Sequence, residues 1–520
     1  QAEDGIRDSV ASRGLGDVYK RQWLYSVSLT NDYQLLLQLH HSYSRGNKVM
    51  AYNLPGPKTA ERIISGKNLF RHGLTYDALA EKSEARGFIP PAQIVLGKAK
   101  GDYVWDLDGN RYIDFQNGWA TNALGNCHPE ILDAVQDAHN TYGYHWEHPL
   151  RFELAEKLAD IMPGKQLPRF TFEVSGTEAV ESAVHTALCF KERRYIISFT
   201  SSFHGAGIGT KMISGYTSEH NLYMEPWDGS VIKAPYPNSQ NIPAEMTPEQ
   251  YVKYCLWYLE THIPQYLVPA ENIAAILVEP GLAEGGNWIP SVDFIQGIRR
   301  ICDEKDWLMI VDEVLTGLGR TGRMWGIDHY DVIPDMMVVG KNLSGGVEPC
   351  AGVAARDEIL GDNPRASAGS TFAGTPAGCA AGLKTLEIFE RDNVIDHAAE
   401  LAEIAAQRMK EWPEKYAIVD DVRCLGLLMG ISFTHPNKEQ FGDDYDDSFV
   451  GRTVRNEMLV NGVWAICDTE PTVRMYPALN MDKAVFVKAL DIIETAIQSV
   501  EGGAPLVGDY PAIPTGVTGF

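Results

Sequence analysis

The chain has 520 residues, with 45 lysines and arginines against 69 aspartates and glutamates, a formal net charge of −24, and 44% hydrophobic and 22% charged residues. That is ordinary globular composition and excludes a disordered, collagen-like or disulfide-dense chain; the acidic balance would repel phosphate backbones and anionic bilayers, so neither nucleic acid nor a membrane is an expected partner. The 8 cysteines form no CxxC pair, so no metal site and no secreted disulfide framework is expected, and a reducing, cytoplasmic compartment fits.

Residues 1–22 (QAEDGIRDSVASRGLGDVYKRQ) carry neither a helical nor a strand period and read as a non-native or disordered extension. Residues 23–109 form an N-terminal segment expected to contribute to a smaller domain. Its junction with the next unit, 105–115 (WDLDGNRYIDF), predicts two alternating strands about the turn pair Asp108-Gly109. Within 110–385, apolar runs at 170–174, 195–200, 273–278, 307–311 and 336–339 alternate with helix-length segments such as 291–304. Strands separated by helices predict right-handed crossovers and a mostly parallel sheet, hence an α/β large domain. Residues 386–502 turn to long amphipathic helices with short strands near 427–433 and 473–476, a smaller α+β domain, and 503–520 read as an extended tail rich in Gly and Pro. No run approaches the roughly 20 apolar residues that a bilayer span requires.

In an open parallel sheet, ligands sit beyond the carboxyl ends of the strands. Three such ends carry polar residues. Val174-Ser175-Gly176-Thr177-Glu178 starts a helix directly after a strand, where free N–H groups and the helix dipole favour an anion such as phosphate; plain capping by Ser175 is the simpler alternative. Trp307 to Asp312 ends an apolar run on a carboxylate that could face a metal, a cationic nitrogen or solvent. Met336 to Lys341 ends another on a lysine, whose ammonium is costly to bury and tends to lose its proton there. Taken together, a phosphate-binding helix start, a strand-end Asp and a strand-end Lys match the needs of pyridoxal 5′-phosphate: a phosphate anchor, a counter-ion for the pyridinium nitrogen, and an amine for the Schiff base.

With these residues in place the sequence resembles the class III aminotransferases, the branch of fold type I pyridoxal-phosphate enzymes that includes γ-aminobutyrate, ornithine and ω-amino acid aminotransferases. The likeness covers about residues 54–500. It is carried by LPGPK at Leu54, VWDLDGNRYIDF at Val104, GNCHPEI at Gly125, VSGTEAVESAV at Val174, SFHG at Ser202, VEPGLAEGG at Val278, DEVLTGLGRTGRMWG at Asp312, PDMMVVGKNLSGG at Pro334 and STFAGTPAGCAAG at Ser370. The resemblance implies a large domain with a mostly parallel sheet plus a smaller α+β domain. It further implies that Lys341 and Asp312 are catalytic, that Gly176 and Thr177 hold the phosphate, and that Phe203 and Val314 cover the two faces of the ring. His204 joins them as an indirect support, and Glu279 as a residue that orients its neighbours. Thr371 would reach the phosphate of the neighbouring subunit, so a homodimer with active sites at the interface is expected. Trp119 would line the substrate pocket, with the segment 142–145. Arg474 would bind a substrate α-carboxylate that Glu284 replaces when an amine lacking one is bound.

Two departures stand out. DEVLTG puts Leu315 where γ-aminobutyrate and ornithine enzymes usually carry Gln, removing a polar contact to the cofactor's ring oxygen, and GGVEPCAG places Glu348 and Pro349 near the floor of the site. The expected activity is transfer of an amino group from an amine or ω-amino acid to a 2-oxo acid, pyruvate or 2-oxoglutarate, by a ping-pong mechanism. A glutamate-1-semialdehyde-type aminomutase, or a decarboxylase or racemase on the same scaffold, shares the early chemistry; a cofactor-binding protein without catalysis is the rival from another class.

Overall fold

The computed structural model describes residues 52, 54–66, 94–145, 147–216, 229–361, 363, 369–438, 446–467 and 471–507. The readings made for 1–22 and for 508–520 lie outside these residues. The first sheet is an antiparallel meander of β1 (Leu96–Lys100), β2 (Tyr103–Asp106) and β3 (Arg111–Asp114). As expected, β2 and β3 form a hairpin about Asp108-Gly109, and the Asp106 carboxylate ties the turn by accepting the N–H groups of Asp108 and Asn110.

The large sheet holds β4 (Arg169–Glu173), β5 (Tyr195–Phe199), β6 (Val231–Ala234), β7 (Ile273–Val278), β8 (Leu308–Asp312), β9 (Met336–Val339) and β10 (Ala351–Ala355), in the order β4-β10-β9-β8-β7-β5-β6. All pairs are parallel except the two made by β10. Because β10 alone is reversed, the carboxyl ends of the other six strands share one edge. Every residue of β7 and β8 is buried, and the pleat divides them by period 2. Ala275, Leu277 and Ile310 pack with Ala179, Val180 and Ala183 of the helix Gly176–Lys191. Ile276, Val278, Met309 and Val311 pack with Phe294, Ile295 and Ile298 of the helix Val292–Lys305. Each fully buried Ile, Leu or Val side chain is worth about 1.5–3 kcal/mol, which is why both faces of this sheet are covered.

The C-terminal part has the antiparallel sheet β11 (Val419–Leu425), β12 (Leu428–Phe433) and β14 (Thr472–Met475), with the helices Val394–Met409, Ser448–Val460 and Lys483–Glu501 around it. Asp482 starts the last helix by accepting the N–H groups of Ala484 and Val485 at 2.9 and 3.0 Å. Between them β13 (Val463–Trp464) leaves this region to pair in parallel with β3, joining the meander to the C-terminal residues. The three-stranded sheet sits over the carboxyl edge of the large one. Arg320 donates to Pro477 O (2.6 Å), and Asn287 donates to Met429 O (2.6 Å). Among the described residues no helix is long and apolar enough to cross a membrane.

Candidate active site

Six strand ends meet at one edge, and the chemistry is gathered there. Asp312 closes β8 and is buried. One of its oxygens, Oδ1, accepts the Val314 N–H at 3.0 Å; the other lies 2.8 Å from His204 Nδ1, itself buried. Lys341 follows β9 with Gly340 between them, its backbone turned to a positive φ of 44°. No hydrogen bond to its amine is found among the described residues. Burial lowers the affinity of this amine for its proton and outweighs the opposing pull of the Glu284, Asp312 and Glu279 carboxylates.

The helix Gly176–Lys191 begins directly beyond β4. The Ser175 hydroxyl accepts the Glu178 N–H at 3.3 Å, while the N–H groups of Gly176 and Thr177, at the first positions, have no intrahelical acceptor. Two glycines set how closely the surrounding loops approach. A Cβ on Gly176 would come within 2.9 Å of Val314 Cγ1, and one on Gly205 (φ 130°) within 2.5 Å of Thr177 Oγ1. The turn Phe203-His204-Gly205 is thereby drawn onto the helix start, and Phe203 is fixed from behind, its N–H donated to Glu279 Oε1 at 2.9 Å. The other oxygen of Glu279 accepts the Ala283 N–H at 3.1 Å. Glu279 therefore orients both the Phe203 turn and the loop that carries Glu284. Burial, and then the negative charge of Asp312, pushes its carboxyl up to about 8.

Arg474, on β14, is 2% exposed and its guanidinium is paired with Glu284. Burial alone would raise the Glu284 carboxyl, but Arg474 and then Lys341 outweigh it and hold the carboxyl below the ordinary carboxylate range. Trp119 borders the same space, packed against Ala120, Ala283, Leu315, Leu428, Ile466 and Tyr476. It belongs to a left-handed turn, with φ of 55°, 60°, 58° and 64° at Asn117, Gly118, Trp119 and Ala120. Such backbone costs about 1–2 kcal/mol per non-glycine residue and persists where the surroundings over-determine it. Here buried Asp114 accepts the N–H groups of Gln116 and Asn117.

Thr371 stands apart, in an exposed loop with Phe372, which is 59% exposed. The neighbouring Ser370 donates to Glu178 at 3.2 Å, so the loop borders the helix start. Within 142–145, Tyr144 packs on Phe372 with ring centroids 5.1 Å apart. Glu348 faces His139 at 3.8 Å, toward the helix Pro129–Tyr142. Sequence reasoning passed over Asn287, Tyr476 and Arg423 around the Glu284 loop; Asn287 and Arg423 close no predicted strand, and Tyr476, at the end of the run 473–476, is an uncharged side chain that drew no functional reading.

This donor set fits pyridoxal 5′-phosphate. Two free helix-start N–H groups and a glycine that leaves no room for a side chain suit the phosphate, a buried carboxylate suits a protonated ring nitrogen, and a partner-free amine suits the aldehyde.

Residues 86–497 match the family model described as aminotransferase class-III. The chain is 34% identical over 338 residues to the probable 4-aminobutyrate aminotransferase of Bacillus subtilis, covering 64% of this chain and 77% of that relative. It is 31% identical over 464 residues to the alanine/serine racemase of Pyrococcus horikoshii, covering 86% and 92%. Among solved structures, a transaminase from the marine bacterium Virgibacillus aligns with a TM-score of 0.71 at 25% identity, covering 79% of this chain and 94% of that one.

Proposed function

We propose that this chain, which belongs to the class III aminotransferase family, binds its cofactor at the carboxyl edge of the large sheet, with Lys341 as the attaching amine and Asp312 as the partner of the ring nitrogen. The protein is a pyridoxal 5′-phosphate-dependent aminotransferase of the fold type I architecture. When bound, the cofactor supplies a carbonyl that accepts the amino group and a protonated ring that withdraws electrons from the substrate Cα. The remaining work falls to side chains. Lys341 would move the Cα proton; its lowered proton affinity leaves a free base at lower pH than an exposed lysine would. Asp312 holds the ring proton, and His204 holds Asp312. Gly176 and Thr177 would donate to the phosphate, and Phe203 and Val314 would bracket the ring.

The observation that carries this reading is the Lys341 amine, which has no hydrogen-bond partner among the described residues and faces three carboxylates. Arg474 and Glu284 support a site that takes an amine or ω-amino acid as donor and pyruvate or 2-oxoglutarate as acceptor. The exposed Thr371, Phe372 and Tyr144 support a homodimer in which this loop completes a neighbouring site. Eight free cysteines suit a reducing, cytoplasmic compartment.

The racemase relative, alignable over 86% of the chain, favours one second reading: proton return to the opposite face of the same Cα. A donor panel run with pyruvate and with 2-oxoglutarate separates the two. Stoichiometric consumption of acceptor and donor is expected; loss of optical rotation in an amino acid without acceptor consumption would replace transfer by racemisation.

A further inference from the structure

Arg423 lies on β11, remote from the strand-end motifs, and is buried. Its place follows from register. Arg423 pairs with Gly430 of β12, and Gly430 pairs with Arg474 of β14. Residues paired across strands present their side chains on one face, so two arginines stand on that face with a glycine between them. The segment 284–287 fills the gap. A Cβ at Gly430 would meet Gly286 O, Asn287 Cβ and Arg423 Nη2, each at 3.2 Å.

On one side of this gap Arg474 is paired with Glu284. On the other, Arg423 grips the same loop two residues later, Nη2 and Nε donating to Gly286 O at 2.8 and 3.2 Å. Nη2 also reaches Ser432 Oγ at 2.8 Å and Thr472 Oγ1 at 3.3 Å, and Nη1 donates to Asp421 at 2.6 Å. The guanidinium lies 3.6 Å over the ring of Trp288. Its carboxylate partner Asp421 is 36% exposed, while the donors turned toward the Glu284 loop reach the neutral oxygens of Gly286, Ser432 and Thr472.

We propose that Arg423 is a positioning residue for the choice between the two substrates: by anchoring Gly286 it limits how far Glu284 can follow Arg474, and so keeps Arg474 available to an incoming α-carboxylate. This rests on the reading of Arg474 as the carboxylate binder. The pair is already closed with the anchor in place; without the anchor the loop is free to carry Glu284 along when Arg474 turns to the substrate, and Glu284 competes better with the incoming carboxylate. The planar fork of arginine is required, because a lysine at 423 keeps the charge but cannot span Gly286, Ser432 and Thr472 together.

The test uses the cofactor-loaded enzyme and glutarate, an unreactive dicarboxylate, titrated by calorimetry beside steady-state kinetics. Arg423→Lys is expected to weaken glutarate binding and raise the KM for the 2-oxo acid by about tenfold, the worth of one hydrogen bond to a charged group, with kcat/KM for a simple monoamine changed less than about twofold. In a Glu284→Ala background the same substitution should leave glutarate binding within about twofold. Should Arg423→Lys not accumulate as folded protein, Gly430→Ala, which crowds the loop from beneath, should give the same split between carboxylate and amine. Equal losses for both substrates, or a tenfold loss that survives Glu284→Ala, would overturn the proposal. Arg474→Ala should abolish glutarate binding. If binding persists there, the carboxylate reading itself fails and this proposal falls with it, an outcome distinct from the other two.

Discussion

His204 Nδ1 stands 2.8 Å from Asp312 Oδ2, and both residues are buried at the end of the sheet. The second oxygen of Asp312 is taken by the Val314 N–H, so the carboxylate is gripped from two sides. Removing His204 should leave Asp312 in place chemically but free to rotate. The expected outcome for His204→Ala is a rise of about tenfold in the cofactor dissociation constant, the scale usual for groups that orient a ligand from behind, read by titrating cofactor into apo-protein. Unchanged affinity would show that Val314 alone fixes the carboxylate.

Asp312→Asn keeps the shape and removes the charge. With Asp312 as the proposed partner of the ring nitrogen, the ring proton would be unsupported, and Cα deprotonation should slow by at least about a hundredfold. A primary isotope effect on the Cα hydrogen should appear or grow. Near-native turnover would mean that this carboxylate faces another group.

With Lys341 in the proposed role, Lys341→Ala removes both the attaching amine and the mobile base. Turnover should fall by several orders of magnitude, and borohydride reduction should no longer leave cofactor mass on the peptide that contains residue 341. A reduced adduct on that peptide in the variant would place the attachment at another residue.

How much of this was legible beforehand depended on where the information lies. β7, β8 and β9 are continuous apolar runs closed by Glu279, Asp312 and Gly340-Lys341, so both the strands and their chemistry stand out. β10, Ala-Gly-Val-Ala-Ala, has weak strand propensity and becomes a strand because β4 and β9 hold it from both sides. The left-handed turn at Trp119 was harder to see: Asn117-Gly118 favours a positive φ, but its extension through Trp119 and Ala120 has no such local preference, and Asp114 holds the start of the turn through two backbone N–H groups. Arg423 was hidden by register, since only the pairing of three strands puts it beside Arg474.

Glu313, fully buried next to Asp312, accepts from Thr316 Oγ1 and from the N–H groups of Gly326 and Ile327. Burial pushes its carboxyl up to about 7, against about 4.3 in an unfolded chain. Between these values the folded state binds the extra proton, so the stability owed to this group is full below about pH 4.3 and is lost as pH rises through 7. Glu313→Gln cannot titrate. The destabilisation it causes should therefore shrink from pH 5 to pH 8, as followed by melting temperature in parallel scans; a gap that is constant or widens with pH would show that Glu313 is ionised throughout.

The last prediction concerns one pocket that must accept two kinds of substrate. Arg474 is desolvated, and an unpaired guanidinium in such a place is expensive. Glu284 satisfies it in this structure, and a bidentate α-carboxylate would satisfy it equally well. The 2-oxo acid brings that carboxylate, whereas a simple amine does not, so with Arg474 as the proposed carboxylate binder the pair would open in one half-reaction and stay closed in the other. Arg474→Ala should accordingly slow the half-reaction with the 2-oxo acid by at least about thirtyfold, the cost of losing one partner of a buried charge pair, and the amine half-reaction far less. Glu284→Ala should do the reverse, since it leaves Arg474 unpaired only while the amine is bound. Single-turnover absorbance changes for each half separate these outcomes. If both variants slow both halves equally, the pair is a fixed structural tie between β14 and the 284–287 loop, and carboxylate recognition must be sought elsewhere in the pocket.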